Sequence, residues 1–246
     1  MTESNTDIAA GRFVGVGVGP GDPELITLKA LRAIRAADVI SYIANDKGES
    51  QAKHIAREAL KGVKPGQQEI PVCMPMCNDR SIANAVYDEA ADSIKGYLEK
   101  GLNVVFICEG DPLFFGSFAY LLERLEHDFN CQVIPGISSI NSAAAALRHP
   151  LTMLKESLVV VSGRHSDEQL RRALLDHDSV VIMKAGRSRP RILMLLRETG
   201  RWNEASYLEN IGRPGELVIE SMDQLADEPG PYFSLFIVTR AERDRT

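Results

Sequence analysis

The chain has 246 residues, 44% of them hydrophobic and 25% charged, with 19 Gly and 12 Pro, a composition that excludes global disorder. Its formal charge of −6, from 28 Lys+Arg against 34 Asp+Glu, argues against a surface built to coat nucleic acid or anionic lipid, so an anionic ligand must meet local cations. The longest apolar runs are about five residues, far short of the roughly 20 that cross a bilayer, and residues 1–10 lack the basic and apolar regions of a secretory leader.

A cytoplasmic location without membrane attachment is therefore expected. Cys73, Cys77, Cys108 and Cys131 are too few and too scattered for a disulfide scaffold, and the CxxxC pair lacks zinc-ribbon spacing. Reduced structural thiols are expected, with no metal site.

Short β-rich runs alternate with helical patterns, which predicts an α/β protein with a largely parallel sheet. The first strand is predicted at 13–17. A helix follows on which Leu28, Leu31 and Ile34 share one face and Lys29, Arg32 and Arg35 another. A strand at 39–42, a helix at 51–60 and a long amphipathic helix at 83–100, carrying Val86, Ala90 and Ile94 and stopped by Gly101, come next. Residues 104–108 are wholly apolar, as in a strand buried on both faces. A helix at 118–125, a strand at 131–134 closed by Pro135-Gly136, and a small-residue helix at 138–147 complete the first half.

The domain junction is placed there, giving two α/β domains at 11–135 and 136–246. The second half predicts strands at 158–162, 180–183, 205–208 and 233–238 and a helix at 189–198, then a charged tail over 240–246.

Three loops at predicted strand ends are of ligand-binding type. The run from Gly15 to Pro23 sits between strand and helix, where glycines let backbone approach a ligand at the carboxyl edge of a sheet. A dinucleotide GxGxxG fails in both registers, because Pro20 and Asp22 stand where the last glycine is needed, and no Walker Gly-Lys-Ser/Thr follows. In the second loop, 109–116, Asp111 suits a turn or helix start. In the third, 135–139, a serine can cap the next helix. Taken singly, each loop is also a plain tight turn; three in one chain point to a composite site.

The blocks GVGPGDPELITLKAL at 17–31, CEGDPLFFGSFAYL at 108–121 and VIPGISSINSAAAA at 133–146 resemble the signatures of the tetrapyrrole methylases, the class III methyltransferases that use S-adenosylmethionine. The resemblance continues through VVIMKAG at 180–186, ENIGRPGE at 209–216 and PYFSLFIV at 231–238. The Glu-Gly-Asp-Pro, Pro-Gly-Ile-Ser-Ser and Pro-Tyr-Phe-Ser forms are similar to the branch acting at C-20 of precorrin-2 in cobalamin biosynthesis; Glu109-Gly110 replaces the Gly-Gly common in the sirohaem branch.

The resemblance implies two α/β domains with S-adenosylmethionine folded into the cleft between them, S-adenosylhomocysteine as product, a small-molecule tetrapyrrole substrate and a homodimer. It implies cofactor contacts at Pro20, Gly110, Asp111, Phe114, Ser138, Ser139, Met183, Gly212 and Tyr232, many of them main-chain.

Methyl transfer from a sulfonium needs alignment more than acid–base help, and the five histidines lack zinc spacing. A proton must still leave the ring after alkylation, and Tyr42 and Glu109, read as strand-end residues, are candidates to accept it. Lys184, Arg187, Arg189 and Arg191 lie within eight residues without an intervening acid, and are candidates to hold substrate carboxylates. Methylation of a cobalt-containing substrate, of another tetrapyrrole, or of RNA or diphthamide remains open within the family. A nicotinamide oxidoreductase or a ligand sensor stands outside it.

Overall fold

The computed structural model describes residues 9–75 and 79–242, leaving Cys77 and the last four residues of the charged tail outside the described residues. The chain divides into two compact units, one up to Ser138 and the other from Ser139.

The first unit runs β1 (Arg12–Gly17), α1 (Leu28–Ala36), β2 (Val39–Ala44), α2 (Gln51–Ile55), β3 (Gln68–Cys73), α3 (Arg80–Leu98), β4 (Val104–Cys108), α4 (Phe118–Leu125) and β5 (Asn130–Ile134). Its sheet has the order β3-β2-β4-β1-β5, with every pairing parallel. Side chains alternate across it: Val14, Val16, Val105 and Ile107 pack with α1 and α2, whereas Phe13, Val104 and Phe106 pack with α3 and α4. Both faces are thus covered, which is why β4 reads as an unbroken apolar run.

The expected helix at 51–60 is split: α2 ends at Ile55 and continues as a 3₁₀ segment over Ala56–Gly62. The long helix starts earlier than expected, because the Asp79 carboxylate accepts the Ser81 N–H at 2.8 Å and caps it. The unpredicted strand β3 carries Pro71, which an edge strand tolerates because one row of its N–H groups has no ladder to join.

The second unit runs α5 (Ser139–Leu147), β6 (Leu158–Ser162), α6 (Asp167–Asp176), β7 (Ser179–Met183), α7 (Arg189–Glu198), β8 (Ala205–Glu209), β9 (Leu217–Ile219) and β10 (Ser234–Thr239). Here the expectation of a largely parallel sheet is corrected. The order is β6-β7-β10-β8-β9, and only β6 and β7 pair in parallel; β10 runs antiparallel to β7 and β8, and β9 antiparallel to β8. A short loop returns β8 as β9, which needs no crossover helix. One face packs on α5 through Ile140 and Ala143, the other on α6 and α7 through Leu170, Leu174, Ile192 and Leu196. The unpredicted α6 opens with a capping box in which Ser166 and Gln169 satisfy each other's backbone.

Candidate functional site

In the first unit the loops after β1, β4 and β5 meet backbone against backbone. The Gly110 N–H donates to the Gly19 carbonyl at 2.8 Å, and the Val18 N–H to the Cys108 carbonyl at 2.9 Å. A Cβ on Gly17 would stand 2.6 Å from the Gly136 Cα, and one on Gly136 would stand 2.8 Å from the Gly17 Cα and overlap the Gly110 carbonyl. Only glycine permits that approach.

Asp111 ties the arrangement together. One carboxylate oxygen accepts the Leu113 N–H at 2.9 Å and the other the Gly136 N–H at 3.1 Å, linking the second loop to the third. Gly110 itself has φ +62°, and a Cβ there would meet the Ile137 carbonyl oxygen and the Ser138 Cα at 3.9 Å, an ordinary van der Waals distance, so a side chain would touch the third loop without clashing.

Around this junction the surface is apolar. Leu113, Phe114, Phe115 and Ile137 are all exposed, the two phenylalanine rings meeting edge-on at 5.1 Å. Phe115 holds φ +56°, a left-handed conformation unfavourable for an aromatic residue, of the kind found where structure is held for function. Pro20 is buried beside Gly19, while Ser138 closes the third loop half-buried.

The candidate proton acceptors differ in setting. Glu109 follows β4 and is half-buried next to Gly110. Tyr42 is not at a strand end; it lies inside β2, opposite Pro71 and Ile107. Its hydroxyl donates to the Glu69 carboxylate at 2.6 Å, and the Lys53 ammonium donates to both groups. Burial, with the Glu69 hydrogen bond, pushes the phenol above its ordinary pKa, so Tyr42 is a neutral donor.

The second unit repeats the theme of loops converging on one sheet edge. The carboxyl ends of β6, β7 and β8 lie on the same side as the start of β10, since Met183 pairs with Leu235 and Glu209 with Ser234. Gly186 accepts the Gly230 N–H at 2.9 Å and has no room for a Cβ against Gly230 and Pro231. Tyr232 stands half-exposed next to them. Gly212, at φ +73°, gives its N–H to Glu216 at 2.7 Å. Met183 ends β7, and Ser139 begins α5. Gly163 and Gly186 were open to sequence reasoning by one signal, a glycine close behind an apolar strand.

The four expected substrate cations do not form one cationic wall. Arg189 is buried: its guanidinium bonds Glu209 at 3.2 Å and the Glu228 carbonyl, and lies over the Tyr207 ring at 5.4 Å. Arg191 pairs with Asp167 at 2.7 Å and donates to the Gly163 carbonyl. Arg189 is thus corrected to an internal tie, and Arg191 to one half of a partly exposed ion pair. Lys184 is half-buried at φ +54°, and Arg187 is exposed. Among the described residues no cluster of His, Cys, Asp and Glu is arranged to hold a metal ion, and no helix is long and apolar enough to cross a membrane.

Comparison with known proteins places this architecture. The family model described as Tetrapyrrole (Corrin/Porphyrin) Methylases matches residues 12–226. A precorrin-2 C(20)-methyltransferase of Sinorhizobium sp is 34% identical over 239 residues, covering 94% of this chain and 96% of the relative. A cobalt-precorrin-2 C(20)-methyltransferase of Salmonella typhimurium is 32% identical, covering 94% and 97%. The crystal structure of uroporphyrin-III C-methyl transferase from Thermus thermophilus complexed with S-adenyl homocysteine has the same fold, with TM-score 0.63 at 24% identity over 94% of this chain and 98% of that one. The family-model match and the similarity to these relatives show that the chain belongs to the tetrapyrrole methylase family.

Proposed function

We propose that this protein transfers the methyl group of S-adenosylmethionine to C-20 of precorrin-2, releasing S-adenosylhomocysteine, in cobalamin biosynthesis. The observation that carries the reading is similarity along almost the whole chain to two proteins named for methylation at C-20.

The first unit's edge fits the cofactor. Gly110 keeps its backbone free of a side chain where the second and third loops come together, and Phe114, four residues on, is exposed. Pro20, Gly110, Asp111, Phe114 and Ser138 are the proposed contacts there. Bound S-adenosylmethionine supplies a methyl group already activated by a sulfonium charge. The chain's own share is to hold that group in line with the acceptor carbon, at about 3 to 3.5 Å, and to exclude water. Asp111 contributes by fixing the second and third loops to each other. Glu109, next to Gly110, is the proposed acceptor of the ring proton, since Tyr42 keeps its own proton on Glu69.

Incubation with precorrin-2 and a labelled methyl donor, read by mass and carbon NMR, tests this. Label at C-20 is expected; label elsewhere, or none, refutes it. A parallel arm with cobalt-precorrin-2 tests a second reading, favoured by the Salmonella relative. The proposed state is a cytoplasmic homodimer, which sedimentation of the purified protein checks.

A further inference from the structure

We propose that Arg164 and Arg187 form a carboxylate-gripping pair that selects the acidic tetrapyrrole, a role that rests on the proposed function and adds to it. Arg164 lies outside the cationic run apparent in the sequence.

The two arginines follow neighbouring parallel strands, β6 and β7, whose ends are in register at Ser162 and Met183. The loops behind those strands are packed together: the Gly163 N–H donates to the Met183 carbonyl at 2.7 Å, and the Ser188 hydroxyl donates to the Gly163 carbonyl at 2.6 Å. A Cβ on Gly163 would stand 2.9 Å from the Lys184 carbonyl. Arg164 and Arg187 are thus the residues next to Gly163 and Ser188, the two ends of one hydrogen bond.

Both side chains are exposed, and among the described residues neither has an ion-pair or hydrogen-bond partner. The nearby acids are engaged: Asp167 by Arg191, Glu209 by Arg189 and Tyr207, and Glu216 by the Gly212 N–H. In a chain of net charge −6, this edge therefore keeps two uncompensated guanidiniums on loops that are hydrogen-bonded to each other. A local excess of positive charge on an otherwise acidic chain attracts an incoming polyanion. The planar fork of arginine matches a carboxylate through two parallel N–H donors, and each strand end presents one fork to a ring whose acidic side chains radiate from its rim.

The test compares Arg164→Glu/Arg187→Glu with Arg148→Glu/Lys155→Glu, which changes net charge equally on the segment that leads into the start of β6, at the opposite edge of the same sheet. At low salt the first pair is expected to raise KM for precorrin-2 at least tenfold, about 1.4 kcal/mol, with the difference shrinking at high salt. The control pair should stay at the parent KM, and Arg164→Lys/Arg187→Lys should recover part of the loss. S-adenosylhomocysteine affinity by calorimetry should match the parent in all three. Equal KM in the two charge-reversed variants, in a parent that methylates precorrin-2, overturns the pair and leaves the proposed function standing. Loss of S-adenosylhomocysteine binding in the arginine variants also overturns it, by making the residues supports of the loops. A parent that binds S-adenosylhomocysteine yet methylates no precorrin-2 removes the proposed function, and the pair with it.

Discussion

Adding one methyl group at Gly136 or at Gly110 is expected to have opposite consequences, although the residues lie in loops that touch. In Gly136→Ala the new Cβ would overlap the Gly110 carbonyl and come within 2.8 Å of the Gly17 Cα. Both neighbours are backbone at the ends of packed strands, so no side chain can rotate away, and a cost near the upper end of the overpacking range, about 3 kcal/mol, is expected. In Gly110→Ala the nearest atoms are 3.9 Å away, and only the left-handed φ of +62° is penalised, by about 1 to 2 kcal/mol. The Gly110 methyl, however, is added to a loop proposed to contact the cofactor. Urea unfolding at constant m separates the two stabilities, and calorimetry with S-adenosylhomocysteine reads the site. The expected pattern is a large midpoint loss for Gly136→Ala, and a small one with weakened binding for Gly110→Ala. A Gly136→Ala protein no less stable than Gly110→Ala would refute the backbone contact, and parent-like affinity in Gly110→Ala would remove that residue from the site.

Asp111→Ala deletes two hydrogen bonds to backbone N–H groups and should lose about 1 to 3 kcal/mol together with affinity for S-adenosylhomocysteine; parent-like values of both in denaturation and calorimetry would contradict its role as a tie. Arg189→Met leaves Glu209, with only 14% of its side chain exposed, without its cation and should cost about 3 to 5 kcal/mol, whereas Arg187→Met should cost under about 1 kcal/mol; equal melting temperatures would refute the distinction. Asp38 should contribute to acid sensitivity. Burial pushes its carboxyl up, but Lys64 and Asn103 outweigh that and hold it below the usual range. Its contribution is therefore complete above the unfolded value of about 3.9 and disappears as pH falls through the lower folded one. Asp38→Asn should flatten the decline of the urea midpoint between about pH 5 and 2, and an undiminished slope would exclude this source.

What the residues disclosed in advance follows how local each feature is. The apolar run of β4 and the Gly101 stop are written in consecutive positions. The pattern of β3 is broken by Pro71, acceptable only because its neighbours leave it at a sheet edge, which no window of sequence contains. The direction of β10 is equally hidden, because an apolar strand reads the same in a parallel or an antiparallel ladder. Within the site the glycines were visible as residue types, but the Asp111 to Gly136 bond spans 25 positions. Arg187 and Arg189 are two residues apart with opposite fates, decided by the Glu209 carboxylate and the Glu228 carbonyl, 20 and 39 positions further along the chain from Arg189. Ser166 and Gln169 did carry a readable start for α6, masked by the charged face of that helix.

The last strand among the described residues, β10, sits third in the second unit's sheet, between β7 and β8. During synthesis, at about 5 to 20 residues per second, β6 with β7 and β8 with β9 exist as two separate pairs until Thr239 has left the ribosome. The first unit is under no such restriction, since all five of its described strands have emerged by Ile134. Nascent chains stalled near residue 228 should therefore carry a protease-resistant first half and a digestible second half, and the apolar flanks of β7 and β8 are where a chaperone would act in that interval.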